Sequence, residues 1–169
     1  TDRSRGLGDV YKRQIIDGSL CFPQPGMARY CMAVIRFGSR FMFSEKACRR
    51  QIRWMPKLLP AKMQYPEEIQ AYYIQDMPRV RMESLENMYR TYMAEYRLKE
   101  SVRDTTAEVM YWYGEKEMKC VKESARLFQS FVPSCRIYEA KGYNHGYLAI
   151  YLPQEWLAVA EPFFNEVKE

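Results

Sequence analysis

Ala107-Glu108-Val109-Met110-Tyr111-Trp112-Tyr113-Gly114-Glu115-Lys116-Glu117 is the stretch on which the fold turns. A mostly apolar run rich in Val, Tyr and Trp, closed by a glycine and a charged tripeptide, reads as a buried strand ending in a polar turn. Directly after it, Met118, Val121, Ala125 and Phe128 recur at helical spacing until Pro133. Cys135-Arg136-Ile137-Tyr138-Glu139 reads as the next strand. Pro153 then opens a last helix whose apolar stripe is Trp156, Leu157, Ala160, Phe163, Phe164 and Val167. The β-α-β-α order predicts a parallel sheet with right-handed crossovers.

Upstream the character changes. Ile15-Ile16-Asp17-Gly18 reads as the end of a buried strand with a glycine turn, a core strand over 15–20. Residues 21–104 carry amphipathic segments broken by Pro23, Pro25, Pro56, Pro60, Pro66 and Pro78, with no Val- or Ile-rich strand run. The pattern predicts a helix over Met27–Phe43, interrupted at Gly38. A second helix follows, capped by Ser44 and running to Trp54. A third starts at Pro66 and stops at Pro78, and a fourth is capped by Ser84. Such a block, with broad aromatic and Met faces, reads as a helical cap or lid. Residues 1–14, TDRSRGLGDVYKRQ, hold four basic and two acidic residues, two glycines and no periodicity. Asp9-Val10-Tyr11-Lys12-Arg13-Gln14 resembles a translated sequencing-adapter junction of the kind found in assembled metagenomic reads. Those residues are therefore expected to be a non-native leader on a truncated gene, and are set apart from the fold.

Composition narrows the function. With 47% hydrophobic residues among 169, the chain has enough apolar side chains to fold around a core. A net charge of +5 is too modest to imply nucleic-acid binding. The densest basic stretch, with Arg49, Arg50 and Arg53 beside Trp54, reads as a solvated helix face. Five cysteines, an odd number with no C-x-x-C pair, argue against a disulfide framework and a zinc site and fit a reducing cytoplasm. No apolar run is long enough to span a membrane.

The chain's single histidine, His145, stands in Gly142-Tyr143-Asn144-His145-Gly146, after one strand and before the last helix. Glu117 closes the preceding strand's turn. In parallel sheets, functional groups gather beyond the C-terminal strand ends. A histidine that moves protons, and a carboxylate that holds it in one tautomer, are two of the three parts of a Ser-His-acid triad.

Gly114-x-x-Glu117 followed by Gly142-x-x-His145-Gly146 resembles the end of the α/β-hydrolase fold. There an acid closes a turn after the penultimate strand, and a histidine follows the last. Glu117 stands where Asp is commoner. On that resemblance, Ile15-Ile16-Asp17-Gly18 corresponds to the strand before the cap, 21–104 to the cap insertion, and 105–169 to the C-terminal core. The implied fold is α/β, about three strands of a parallel hydrolase sheet with a helical cap. The implied activity is serine-dependent hydrolysis of an ester or related acyl bond in a small apolar or aromatic substrate, with no cofactor or metal and no nucleic-acid partner. His145 is implied as general base and then acid, and Glu117 as the residue that orients it.

The departure lies in the nucleophile. A G-x-S-x-G elbow is absent: Gly38-Ser39 lacks the second glycine, and Gly18-Ser19 runs into Leu20-Cys21-Phe22-Pro23. The expectation is therefore an inactive fragment of a serine hydrolase, with a non-catalytic ligand-binding protein of the same fold as the alternative. Glu115 competes with Glu117 as the acid, and Asp17 is a further acid or a cap hinge. Cys21 reads as a buried structural thiol rather than a nucleophile. Phe22, Met27, Tyr30 and Tyr73 are candidates to line a substrate pocket. A sheet truncated in this way would leave its first strand with an open edge, an aggregation site.

Overall fold

The computed structural model describes residues 13–58, 65–144 and 146–166. The chain forms two compact units, one from Thr1–Cys21 with Arg97–Glu169 and one from Phe22–Tyr96.

The first unit is built on three parallel strands, β1 (Arg13–Asp17), β2 (Glu108–Gly114) and β3 (Arg136–Ala140), in that spatial order. Their register pairs Ile16 with Tyr111 and Tyr111 with Ile137. Side chains alternate between faces, and both faces are apolar. On one face Val109, Tyr111 and Cys135 pack with Ile16 and Ile137 against Ala125, Phe128 and Val132 of the crossover helix and its end. On the other, Met110, Trp112 and Ala140 pack with Ile15 and Tyr138 against Leu148, Ala160 and Phe163. This explains why β2 reads as a continuous apolar run rather than an alternating one: a parallel strand is covered on both sides. Tyr111 and Trp112, neighbours in sequence, are 0% and 2% exposed on opposite faces.

β1 begins at Arg13, within the segment set apart on sequence grounds. The Arg13 guanidinium donates to Glu108 at 3.0 Å and to the Phe164 carbonyl at 2.9 Å. Positions 13 and 14 are therefore part of the sheet. The remaining positions of that segment, 1–12, lie outside the described residues.

The crossover helix (Lys119–Phe131) ends before Pro133 as expected. A five-residue helix (Tyr147–Tyr151), too short to carry a periodic signal, precedes the final one (Pro153–Asn165). Residues 97–104 join this unit, with Leu98 and Val102 packed on the first face. Ser124, fully buried, holds the exit of β1: its Oγ accepts the Cys21 N–H at 2.9 Å and donates to the Cys120 carbonyl at 2.8 Å.

The second unit is helical. We number its helices α1 (Pro25–Met42), α2 (Glu45–Leu58), α3 (Glu67–Asp76) and α4 (Met82–Met88); the helices of the first unit follow as α5 (Lys119–Phe131), α6 (Tyr147–Tyr151) and α7 (Pro153–Asn165). α1 is continuous through Gly38, against the expected interruption, because a helix-interior glycine costs only about 1 kcal/mol. Ser44 caps α2 as read, its Oγ accepting the Ala47 N–H at 3.2 Å. Ser84 does not cap α4. The helix starts at Met82 after an extended Arg81, so Ser84 sits inside the first turn. α4 runs on into a π-helical segment, Tyr89–Glu95, that packs along α1. A bidentate pair from Arg36 to Glu86, at 2.6 and 3.0 Å, ties α1 to α4.

Candidate active site

The turn after β2 and the loop after β3 are built against each other. Gly114 ends β2, and the Glu117 N–H returns to its carbonyl at 2.9 Å, closing a four-residue turn. The Lys116 N–H donates to the Tyr143 carbonyl at 2.9 Å, and the Glu115 N–H to the Ala140 carbonyl at 2.9 Å. In return the Gly142 N–H donates to the Glu115 carboxylate at 2.8 Å. The two loops are thus stitched by bonds running in both directions.

Gly114 is the point of closest approach. A Cβ there would stand 2.3 Å from the Tyr143 carbonyl oxygen and 2.9 Å from that of Asn144. Only glycine lets the loop lie so low over the strand end. Gly146 has φ +62° and precedes α6, a left-handed position that an L side chain rarely adopts.

Glu117 is 8% exposed, a buried carboxylate at the C-terminal end of the sheet, with Oε2 facing the Gly114 N–H at 3.4 Å. Glu115 is exposed and engaged as a loop tie, its other oxygen 3.9 Å from Lys141 Nζ. Lys141 is held at 2.7 Å by Glu139, which lowers the Glu139 carboxyl below its ordinary value and raises the Lys141 ammonium above its own. His145 lies outside the described residues. Its neighbours Asn144 and Gly146 line a small cavity with Asp17, Trp112, Gly114 and Leu148. Asp17, at the end of β1, therefore belongs to the same strand-end cluster as the Gly114 turn.

Cys21 is 4% exposed, and burial raises its thiol above the ordinary range, which disfavours the thiolate a nucleophile needs. Tyr73 spends its hydroxyl on Gln51 at 2.6 Å, Phe22 and Met27 are half-buried, and Tyr30 is exposed. Arg50 and Arg53 stand exposed on α2, and Arg49 pairs with Glu45 at 2.8 Å. Among the described residues no group of His, Cys, Asp and Glu is arranged to hold a metal ion, and no helix is long and apolar enough to cross a membrane.

The sequence matches no family model and no curated protein. Its structure is similar to those of several hydrolases. E-2-(acetamidomethylene)succinate hydrolase matches with a TM-score of 0.64 at 16% identity, covering 91% of this chain and 57% of that one. Carboxylesterase CesB from Bacillus subtilis gives 0.60 at 13%, covering 92% and 52%. A carboxylesterase from the thaumarchaeon Nitrososphaera gargenis gives 0.60 at 11%, covering 89% and 54%. The fold is that of the α/β hydrolases, and the chain spans a little over half the length of these neighbours.

Proposed function

We propose that this chain supplies the acid, the histidine and the cap of a serine hydrolase that cleaves esters of small apolar or aromatic acyl substrates. Glu117 orients His145 and stabilises its charged form. His145 takes the proton from a serine that lies outside these 169 residues and passes it to the leaving group. By itself the chain is inactive, since neither nucleophile nor oxyanion donors are present in its sequence motifs. One observation carries this reading. The buried Glu117 closes a turn that is hydrogen-bonded to the very loop containing position 145. Esterases among the structural neighbours favour the same substrate class.

His145 is the chain's only histidine, so its imidazole NMR signals are unambiguous. Glu117→Gln is expected to lower the midpoint of the His145 titration, by removing a charge that favours the imidazolium. Glu115→Gln leaves it in place. A midpoint that ignores Glu117→Gln refutes the pair. Sequencing the locus upstream of the Ile15 codon tests the nucleophile. A G-x-S-x-G elbow in frame predicts hydrolysis of p-nitrophenyl butyrate by the expressed frame, falling on the order of 10⁴-fold with Glu117→Gln. A frame without a nucleophile leaves a binding protein.

A further inference from the structure

The turn after β2 presents two carboxylates in different settings. Glu117 is buried at the strand end. Glu115 is exposed, yet its backbone N–H and its side chain are both spent on the loop after β3. The N–H donates to the Ala140 carbonyl at 2.9 Å, and Oε2 accepts the Gly142 N–H at 2.8 Å. One residue therefore grips that loop at two points.

The second grip bears on the site. Ala140-Lys141-Gly142-Tyr143 turns the chain out of β3, closed by the Tyr143 N–H to the Ala140 carbonyl at 3.4 Å. Gly142 has φ +80°, as the third position of a type II turn requires. The N–H of that third residue has no acceptor inside the turn, and Glu115 supplies one. The bond fixes the central peptide of the turn, which sets the direction in which the chain runs on to His145, three residues later. Lys141 steadies the carboxylate from the other side, with Nζ 3.9 Å from Oε1, and is itself held by Glu139 at 2.7 Å.

We infer that Glu115 is a positioning residue, whose acceptor oxygen holds the loop carrying His145 within reach of Glu117. That role rests on the Glu117–His145 pair proposed above, and it divides the labour within one turn. The two carboxylates then answer the same substitution differently. Glu117 acts on His145 through its charge, so glutamine abolishes its effect. Glu115 acts through an acceptor oxygen, which glutamine keeps and alanine lacks. Both Glu115 variants remove the same exposed charge, so a direct electrostatic effect on His145 is common to them. Only alanine releases the Gly142 N–H.

NMR of the 169-residue chain carries both readouts: amide exchange at Gly142 for the bond, and the titration of the single histidine for its consequence. Glu115→Ala is expected to speed Gly142 exchange about fivefold, as loss of one net hydrogen bond requires. It is also expected to lower the His145 midpoint, in the same direction as Glu117→Gln. Glu115→Gln is expected to keep both at their wild-type values. Residue 115 is exposed, so both variants should keep the wild-type circular dichroism spectrum. Wild-type exchange at Gly142 in Glu115→Ala overturns the role, as does a glutamine variant that behaves like alanine. A midpoint that answers to Glu117→Gln but not to Glu115→Ala overturns the positioning and leaves the pair standing. A midpoint that ignores Glu117→Gln refutes the pair itself, and the positioning falls with it.

Discussion

Replacing Gly114 by alanine tests the construction of the strand-end site with one carbon atom. Gly114 has no positive φ, so the backbone itself accepts alanine. In an open position the substitution would stabilise by about 0.4–1 kcal/mol through the unfolded chain. The added Cβ meets backbone instead, 2.3 Å from the Tyr143 oxygen, 2.8 Å from its carbon and 2.9 Å from the Asn144 oxygen. Ordinary contact begins near 3.4 Å, so the loop must lift by about 1 Å. That displacement strains the Lys116–Tyr143 bond and the stacked Tyr143 and Tyr147 rings, 5.0 Å apart. Overpacking of this kind costs about 1–3 kcal/mol, and a weakened hydrogen bond adds about 1. The expected loss is about 2–4 kcal/mol, or roughly 6–12 °C in melting temperature at ~3 °C per kcal/mol for a chain of this size. Thermal melts followed by circular dichroism measure it, with the His145 resonance reporting on the loop. Gly26→Ala serves as the opposite control, because its Cβ would meet nothing within 4 Å near the start of α1. That substitution should stabilise by up to about 1 kcal/mol. A Gly114→Ala protein that melts with the wild type would refute the close approach and the site built on it.

Ser124→Ala should destabilise by about 1–3 kcal/mol in chemical denaturation, since it strands the buried Cys21 N–H; an unchanged midpoint would show that Ser124 is not needed to hold the exit of β1. Burial pushes the Cys135 thiol from 9.0 up to about 11. The folded state keeps a proton that the unfolded state loses over that interval, so the contribution is full below pH 9 and disappears as pH rises through 11. The stability of wild type relative to Cys135→Ala should therefore shrink between pH 9 and about 11, and a constant difference would contradict it. Tyr73→Phe removes the hydroxyl bond to Gln51 and should cost about 1 kcal/mol, read as a lower melting temperature.

The strands and the two principal helices of the sheet unit were legible because burial on both faces, or on one stripe, writes itself into periodicity. Val109 to Tyr113 and the Val121, Ala125, Phe128 series are instances. Proline marked the stops at 78 and 133 for the reason that it cannot continue a helix. The start of β1 was not legible, since Arg13 is placed by Glu108, distant in sequence. The role of Gly114 was only half visible. A glycine after a strand announces a turn, but the backbone of Tyr143 lying across it is a tertiary fact. The same holds for Glu115, whose tie to the Gly142 N–H separates it from the buried Glu117 only once both loops are folded. Serine has capping propensity at both 44 and 84, and the backbone of Arg81 decided the second case.

The tryptophans divide the molecule optically. Trp54 belongs to the helical unit, is 46% exposed, and has the Lys57 ammonium 4.5 Å from its ring. Trp112 and Trp156 belong to the sheet unit, with rings 5.3 Å apart and Tyr138 4.7 Å from Trp112. A red-shifted emission that iodide quenches thus reports on the helical unit alone. A blue emission, with the circular-dichroism couplet of two interacting indoles, reports on the sheet. Unfolding of each half carries its own colour, and the order in which they come apart is readable from one cuvette without a label.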